Sequence, residues 1–186
     1  DTLGVIQAAE AQLTKAWDYA KEAEKLLGQN KFNEAADKYQ LAAKEAQKDP
    51  DGEGEAKKYL ANYNFYRAMG IYSQAELSGI FGKGDIDQAI GHTEQSHDLF
   101  KQVRNAAGEQ ASEGWRLYLL GVKNDSGSQF KEAREAYEKA RRVFIDLGES
   151  MPETRETAHQ FVTLAERGAI FSATMDLMRN VEEYEK

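Results

Sequence analysis

Residues 20–47 read AKEAEKLLGQNKFNEAADKYQLAAKEAQ, and this stretch decides the fold. It divides into two short amphipathic helices at Gly28-Gln29-Asn30-Lys31. After that break Phe32, Ala35, Tyr39, Ala42 and Ala46 recur at alternating steps of 3 and 4, so they share one helical face. Aromatic and alanine positions alternate along the face. The alanines let a neighbouring helix approach closely, and the aromatics fill the grooves beside it. Before the break, Ile6, Ala9, Leu13, Ala16, Ala20, Ala23 and Leu27 keep the same rhythm, with Trp17 on one flank. Gly28 then stands where a left-handed C-cap is expected.

The pattern recurs further along. Ile86, Ala89, Ile90, Thr93, Phe100 and Val103 form a stripe in which Thr93 and Ser96 replace Tyr39 and Ala42. Phe130, Ala133, Tyr137, Ala140, Phe144 and Leu147 form the cleanest stripe of all, with Gly148 expected to end it. A small/aromatic ladder on the second helix of a helical pair resembles the tetratricopeptide repeat, a helix-turn-helix unit of about 34 residues. Leu120-Gly121 also stands where that family's first helix carries its Leu-Gly pair, whereas Glu22-Ala23 keeps only the small residue and Glu76-Leu77 keeps neither. Successive units begin 54 (86 − 32) and 44 (130 − 86) residues apart, wider than the family spacing. The resemblance is therefore strong in units one and three and weak in unit two.

Between the stripes the punctuation is plain. Pro50 forbids helix just before it, and Asp49-Pro50-Asp51-Gly52-Glu53-Gly54 reads as a solvated acidic turn leading to a third helix near Glu55 that reaches about Phe81. Gly82-Lys83-Gly84-Asp85 reads as a turn, Asn105 to Gly108 as a polar join, and Asn124-Asp125-Ser126-Gly127-Ser128 as turn chemistry throughout. Ser150 and Glu153 stand in capping-box spacing, with Pro152 opening a seventh helix that continues almost to Tyr184. The expected fold is all-α: a right-handed, tetratricopeptide-like solenoid of about seven antiparallel helices in one domain. Hairpins 1–48, 55–104 and 109–148 precede a closing helix over 151–184.

Composition narrows the function. With 2 prolines among 186 residues and no cysteine, the chain is suited to helix and has no disulfide, thiolate metal site or cysteine nucleophile. A formal charge of −8 argues against nucleic acid or an anionic membrane face as the main partner. No apolar run approaches the length of a membrane span. Asp1 in place of an initiator methionine suggests an exported, periplasmic chain whose signal peptide has been removed, with a cytoplasmic chain as the alternative.

Catalytic chemistry finds no foothold. A calcium loop starting at Asp49 would need its bidentate acid at Leu60, which cannot ligate. Gly82-Lys83-Gly84 lacks the spacing and the hydroxyl of a phosphate loop. His92 and His97 project about 140° apart on a helix and cannot share a metal, and His159 stands alone. No serine elbow or paired-carboxylate arrangement stands out, so no cofactor and no enzyme is expected.

Two features suit binding of protein. Tyr59, Tyr63 and Tyr66 at i, i+4 and i+7 are flanked by Lys57, Lys58, Asn62 and Arg67. Aromatic and arginine side chains offer large contact area at low entropic cost. The resemblance implies that first helices line a concave groove holding extended peptides, although the family's two-carboxylate clamp has no matching residues here. The bland reading is that these tyrosines are core. The closing helix is apolar on several sides: Phe161, Leu164, Gly168, Phe171, Met175 and Met178 on one stripe, and Val162, Ala169, Ile170, Ala173, Leu177 and Val181 elsewhere. The end of a solenoid ordinarily has a polar outer face. Ile170, Phe171, Met175, Leu177 and Met178 thus join Tyr59, Asn62, Tyr63, Tyr66 and Arg67 as candidate protein-binding residues. The expected role is a non-catalytic scaffold that engages a protein partner or self-associates into a larger complex. The alternative is a helical-repeat carrier or adaptor for a peptide or small ligand.

Overall fold

The computed structural model describes the backbone of residues 2–78 and 82–184, and side chains over 13–78, 82 and 84–181. Among these residues seven α-helices follow in order: α1 (Thr2–Leu27), α2 (Phe32–Ala46), α3 (Glu53–Ser78), α4 (Lys83–Gln102), α5 (Ala106–Ser126), α6 (Phe130–Ser150) and α7 (Arg155–Tyr184). No strand occurs among the described residues, which are helical apart from the short turns between helices. Among the described residues each helix packs on its successor, and a smaller contact joins α5 to α7. That is a solenoid-like stack of consecutive pairs, as the ladders require.

The ladders are where the stack closes. Ala35, Ala42, Ala46, Ala133 and Ala140 have no exposed surface, and Tyr39, Tyr137, Phe144 and Leu147 are buried with them. Ala16, Ala20 and Ala23 complete the first seam from α1, while Ile6 and Ala9 lie outside the residues whose side chains are described. In unit three, glycines on neighbouring helices receive the aromatics of α6. A Cβ at Gly121 would lie 2.5 Å from the Tyr137 ring, and one at Gly168 only 2.7 Å from it, so the ring is clasped between the backbones of α5 and α7. The weak middle unit is held differently. Thr93 and Ser96 are fully buried. The Ser96 hydroxyl lies 3.0 Å from the Ala61 carbonyl of α3 and 2.9 Å from the Ser112 hydroxyl of α5, so small polar groups take the place of the aromatic rung.

Three of the turns share one geometry. The N–H groups of Lys31, Asn105 and Gln129 donate to the carbonyls of Leu26, Phe100 and Asn124, five residues earlier, at 2.9–3.0 Å. The residue before each donor is left-handed: Asn30 (φ 58°), Arg104 (φ 56°) and Ser128 (φ 57°). This is the six-to-one closure of a Schellman turn. It corrects the expectation for Gly28, which keeps ordinary φ while Asn30 takes the left-handed position.

Other boundaries differ from the sequence expectation. Gly82 is the extended N-cap of α4, so Lys83-Gly84-Asp85 is already helical, and the expected end of the preceding helix at Phe81 lies outside the described residues. Helix α5 absorbs Asn124-Asp125-Ser126, leaving only Gly127 to Gln129 as turn. Helix α6 runs through Gly148 to Ser150. No capping box forms, because the Ser150 hydroxyl donates backwards to the Asp146 carbonyl at 2.6 Å. A 3₁₀ turn over Pro152–Thr154 instead leads into α7. The acidic turn is exposed at Pro50, Asp51, Glu53 and Gly54 as expected, but Asp49 itself is buried, and its carboxylate accepts from the Asp51 N–H at 2.9 Å. The asparagine-like turn satisfies that backbone donor where Pro50 has none to offer.

Candidate functional site

The residues singled out on α3 divide between packing and a cleft. Tyr59 and Tyr63 lie against the first hairpin, and Tyr66 stacks on Tyr39 of α2 with ring centroids 5.7 Å apart and planes 12° apart. Burial raises the hydroxyl pKa of Tyr59 and of Tyr66. Arg67 donates to Asn33 at 3.2 Å, pairs with Asp37, and lies over the Tyr63 ring at 5.5 Å. It therefore ties α3 to α2 within the chain. The Asn62 amide donates to the Lys58 carbonyl one turn back, at 3.1 Å.

Asn62 and Tyr66 also face a cleft of about 500 Å³ to which α3, α5 and α7 all contribute, together with the turns at the ends of α1, α4 and α6. Phe65, Tyr66, Met69, Phe100 and Phe161 supply its aromatic and apolar floor. Asn30, Asn62, Asn105 and Gln160 stand among its polar lining. Glu153 is the sole charged residue among the described lining residues, in a chain where 30% of residues are charged. The volume lies within the range of small-molecule and peptide sites, and the lining favours an uncharged occupant. Sequence reasoning reached Asn62 and Tyr66 but missed Asn30, Phe100, Asn105 and Phe161. These come from four different elements, and no local spacing announces that they converge.

His92 and His97 lie against neighbouring side chains, and His159 is exposed. His92 Nδ1 lies 2.8 Å from Asn64 Oδ1, and its ring stands edge-on to Tyr63 at 6.0 Å. Burial, with help from Arg67, lowers its pKa. His97 Nε2 lies 3.7 Å from Glu109. Among the described residues no three His, Asp or Glu side chains gather as a metal site.

Helix α7 presents the other feature. Its inner side is small and periodic: Ala158, Ala165 and Ser172 are buried at seven-residue intervals, with Phe161 and Gly168 between them. Ser172 donates to Asp125 of α5 at 2.7 Å, and the Tyr137 hydroxyl of α6 donates to the same carboxylate at 2.9 Å. One acid thus fastens three helices. Burial pushes its pKa up, against the lowering effect of both donors. The outer side is apolar and open. Ile170 is 67% exposed, Leu177 66%, and Phe171, Met178 and Val181 each more than half. Met175 is half-buried and lines, with Met178, a shallow groove beside the α5–α6 turn at Gly127 to Phe130. Among the described residues no helix is long and apolar enough to cross a membrane.

Comparison with protein-family models, with curated proteins and with solved structures gives no match. What the molecule does must be read from its own surfaces.

Proposed function

We propose that the protein is a non-catalytic interaction scaffold of tetratricopeptide-like build, which assembles with protein through the outer face of α7. The observation that carries this reading is the exposed run Ile170, Phe171, Leu177, Met178 and Val181. Five large apolar side chains left open on one helix incur a hydration cost that burial against a partner removes, at roughly 25 cal/mol per Å². The methionines suit such a surface because their unbranched side chains repack at little cost. Export to the periplasm belongs to the same proposal, and a cytoplasmic setting is its alternative.

Affinity capture with the full chain and with Leu177→Glu tests it. The parent is expected to retain a stoichiometric protein partner, either another protein or its own copies, and the variant to lose it while melting at the same temperature. Equal retention by the two chains would overturn the role of α7.

A second reading has its own support. The nearly uncharged cleft between α3, α5 and α7 suits an extended, uncharged peptide or a small apolar ligand, as a carrier or adaptor requires. Asn62 and Tyr66 would contact the occupant, whereas Tyr59, Tyr63 and Arg67 would hold α3 in place behind them. Panning a peptide library against the full chain, then against Phe161→Ala, separates this reading from the first. Selected neutral peptides whose binding falls with the variant would support it.

A further inference from the structure

We infer that the partner of α7 is α7 of a second copy, lying antiparallel across a two-fold axis. This rests on the reading of α7 as an assembly surface and names what covers it.

The spacing comes first. Ile170, Thr174, Leu177 and Val181 follow at steps of 4, 3 and 4. That is a heptad seam, on the side of α7 opposite the buried series Ala158, Ala165 and Ser172. Phe171 and Met178, seven apart, widen the seam along one edge. A seam of period 3.5 is what a second helix needs to stay in register over three turns, and an irregular apolar patch would not provide it.

Area comes next. At roughly 200 Å² for a large apolar residue, the exposed fractions of Ile170, Phe171, Leu177, Met178 and Val181 amount to about 600 Å² per copy. Two such faces remove about 1,200 Å² from water, the lower end of specific stable interfaces. One isolated patch of that size is already at the upper limit for a monomer.

The orientation follows from the ends of the seam. Antiparallel pairing centred between Met175 and Asp176 sets Ile170 against Val181 of the other copy and Thr174 against Leu177, small against large. Such an arrangement is isologous and closes at two copies. Parallel pairing would set the exposed Arg167 of one copy against Arg167 of the other, and like charges at a seam position oppose association. In the antiparallel arrangement those cations lie at opposite ends. The two other charged residues in the span stand off the seam: Asp176 is half-buried, and Arg179 reaches the Ser128 carbonyl at 3.4 Å.

Sedimentation of the full chain over a concentration series tests the pairing. The expected result is a monomer–dimer equilibrium, with the dissociation constant of Leu177→Glu raised on the order of 100-fold or more by burying an unpaired carboxylate in each half. Leu177 is exposed in one copy, so at concentrations below the parent's dissociation constant the variant should melt like the parent. The chain has no cysteine, which makes the orientation readable as well. Ile170→Cys mixed with Val181→Cys should cross-link through a short bis-maleimide far more than either variant alone. A full chain that stays monomeric throughout, a dimer unmoved by Leu177→Glu, or dominant Ile170→Cys homodimer cross-links would each overturn the inference. A monomer that still captures a different protein through Leu177 would overturn self-pairing alone and leave the scaffold reading standing.

Discussion

Helices α3 and α7 look alike in sequence and meet opposite fates. Both are long, and both carry large apolar residues all round instead of along one stripe. Helix α3 lies between α2 and α4, so Tyr59, Tyr63 and Tyr66 turn to the first hairpin while Phe65, Met69 and Tyr72 turn to the main core. Helix α7 has α6 and the end of α5 on one side only, and its second apolar side stays in water. A helix that is apolar all round implies burial all round. In α3 the chain itself provides that burial up to the last turn, where Leu77 is 90% exposed. In α7 it does not, and the missing neighbour is the basis for reading α7 as an interface.

The contrast can be broken by substitution. The largest effect is expected in the seam that α7 shares with α6. Phe144→Ala removes a ring that is 1% exposed and should cost about 3–5 kcal/mol in chemical denaturation. Phe171→Ala on the other side of the same region should change folding stability by no more than about 0.5 kcal/mol while weakening association. Equal losses in folding stability would mean that α7 is covered on both sides.

Next come the alanine rungs. Ala35→Leu and Ala133→Leu insert methylenes where the side chain has no exposed surface, and each should cost about 1–3 kcal/mol. Lys131→Leu, on an exposed position, serves as the control. If the two alanine variants melt like the parent, the ladders are not the seams of the stack.

The Asp125 clamp sharpens the comparison through pH. Its pKa is raised by burial, so the folded chain holds the proton to higher pH than the unfolded chain does. Between the two values stability attributable to this group falls as pH rises, and it is regained as pH falls back through the folded value. Asp125→Asn keeps an acceptor for Tyr137 and Ser172 and removes the titration. Urea melts across the acid range should therefore show the parent gaining on the variant as pH falls. A constant difference would mean that the carboxylate is more solvated than its position between α5, α6 and α7 implies.

A small effect is also expected at the link between α2 and α3. Asp37→Ala removes an exposed partner of Arg67 and should cost less than about 1 kcal/mol, because solvent screens the pair and Asn33 remains. A larger loss, measured by thermal melting at low and high salt, would make this link a principal attachment between the first hairpin and the rest.

Legibility followed the range of the interaction. The 3-and-4 alternation of Phe32 to Ala46 and of Phe130 to Leu147 announced helices and their buried faces, because that periodicity is a property of neighbouring residues. The middle unit gave a fainter signal. Thr93 and Ser96 are ordinary surface residues in most helices, and only the approach of Ala61 and Ser112 makes them a rung. The helix ends were legible only in part, for a related reason. Gly28 does follow the last residue of α1, but the left-handed position fell to Asn30, and Gly148 lies inside α6, where Ala158 of α7 comes close.

The sequence by itself determined an all-helical chain of seven segments, the alanine–aromatic seams between them and the excess of apolar residues on the last. Tertiary structure alone decided which of the two all-round apolar helices would be enclosed. It brought Asn30, Asn62, Asn105 and Phe161 to one cleft and gathered Tyr137 and Ser172 around Asp125. The physical reason is the same in each case. Helical periodicity says which side chains share a face. What that face meets depends on residues tens of positions away, and these become neighbours only when the stack has formed.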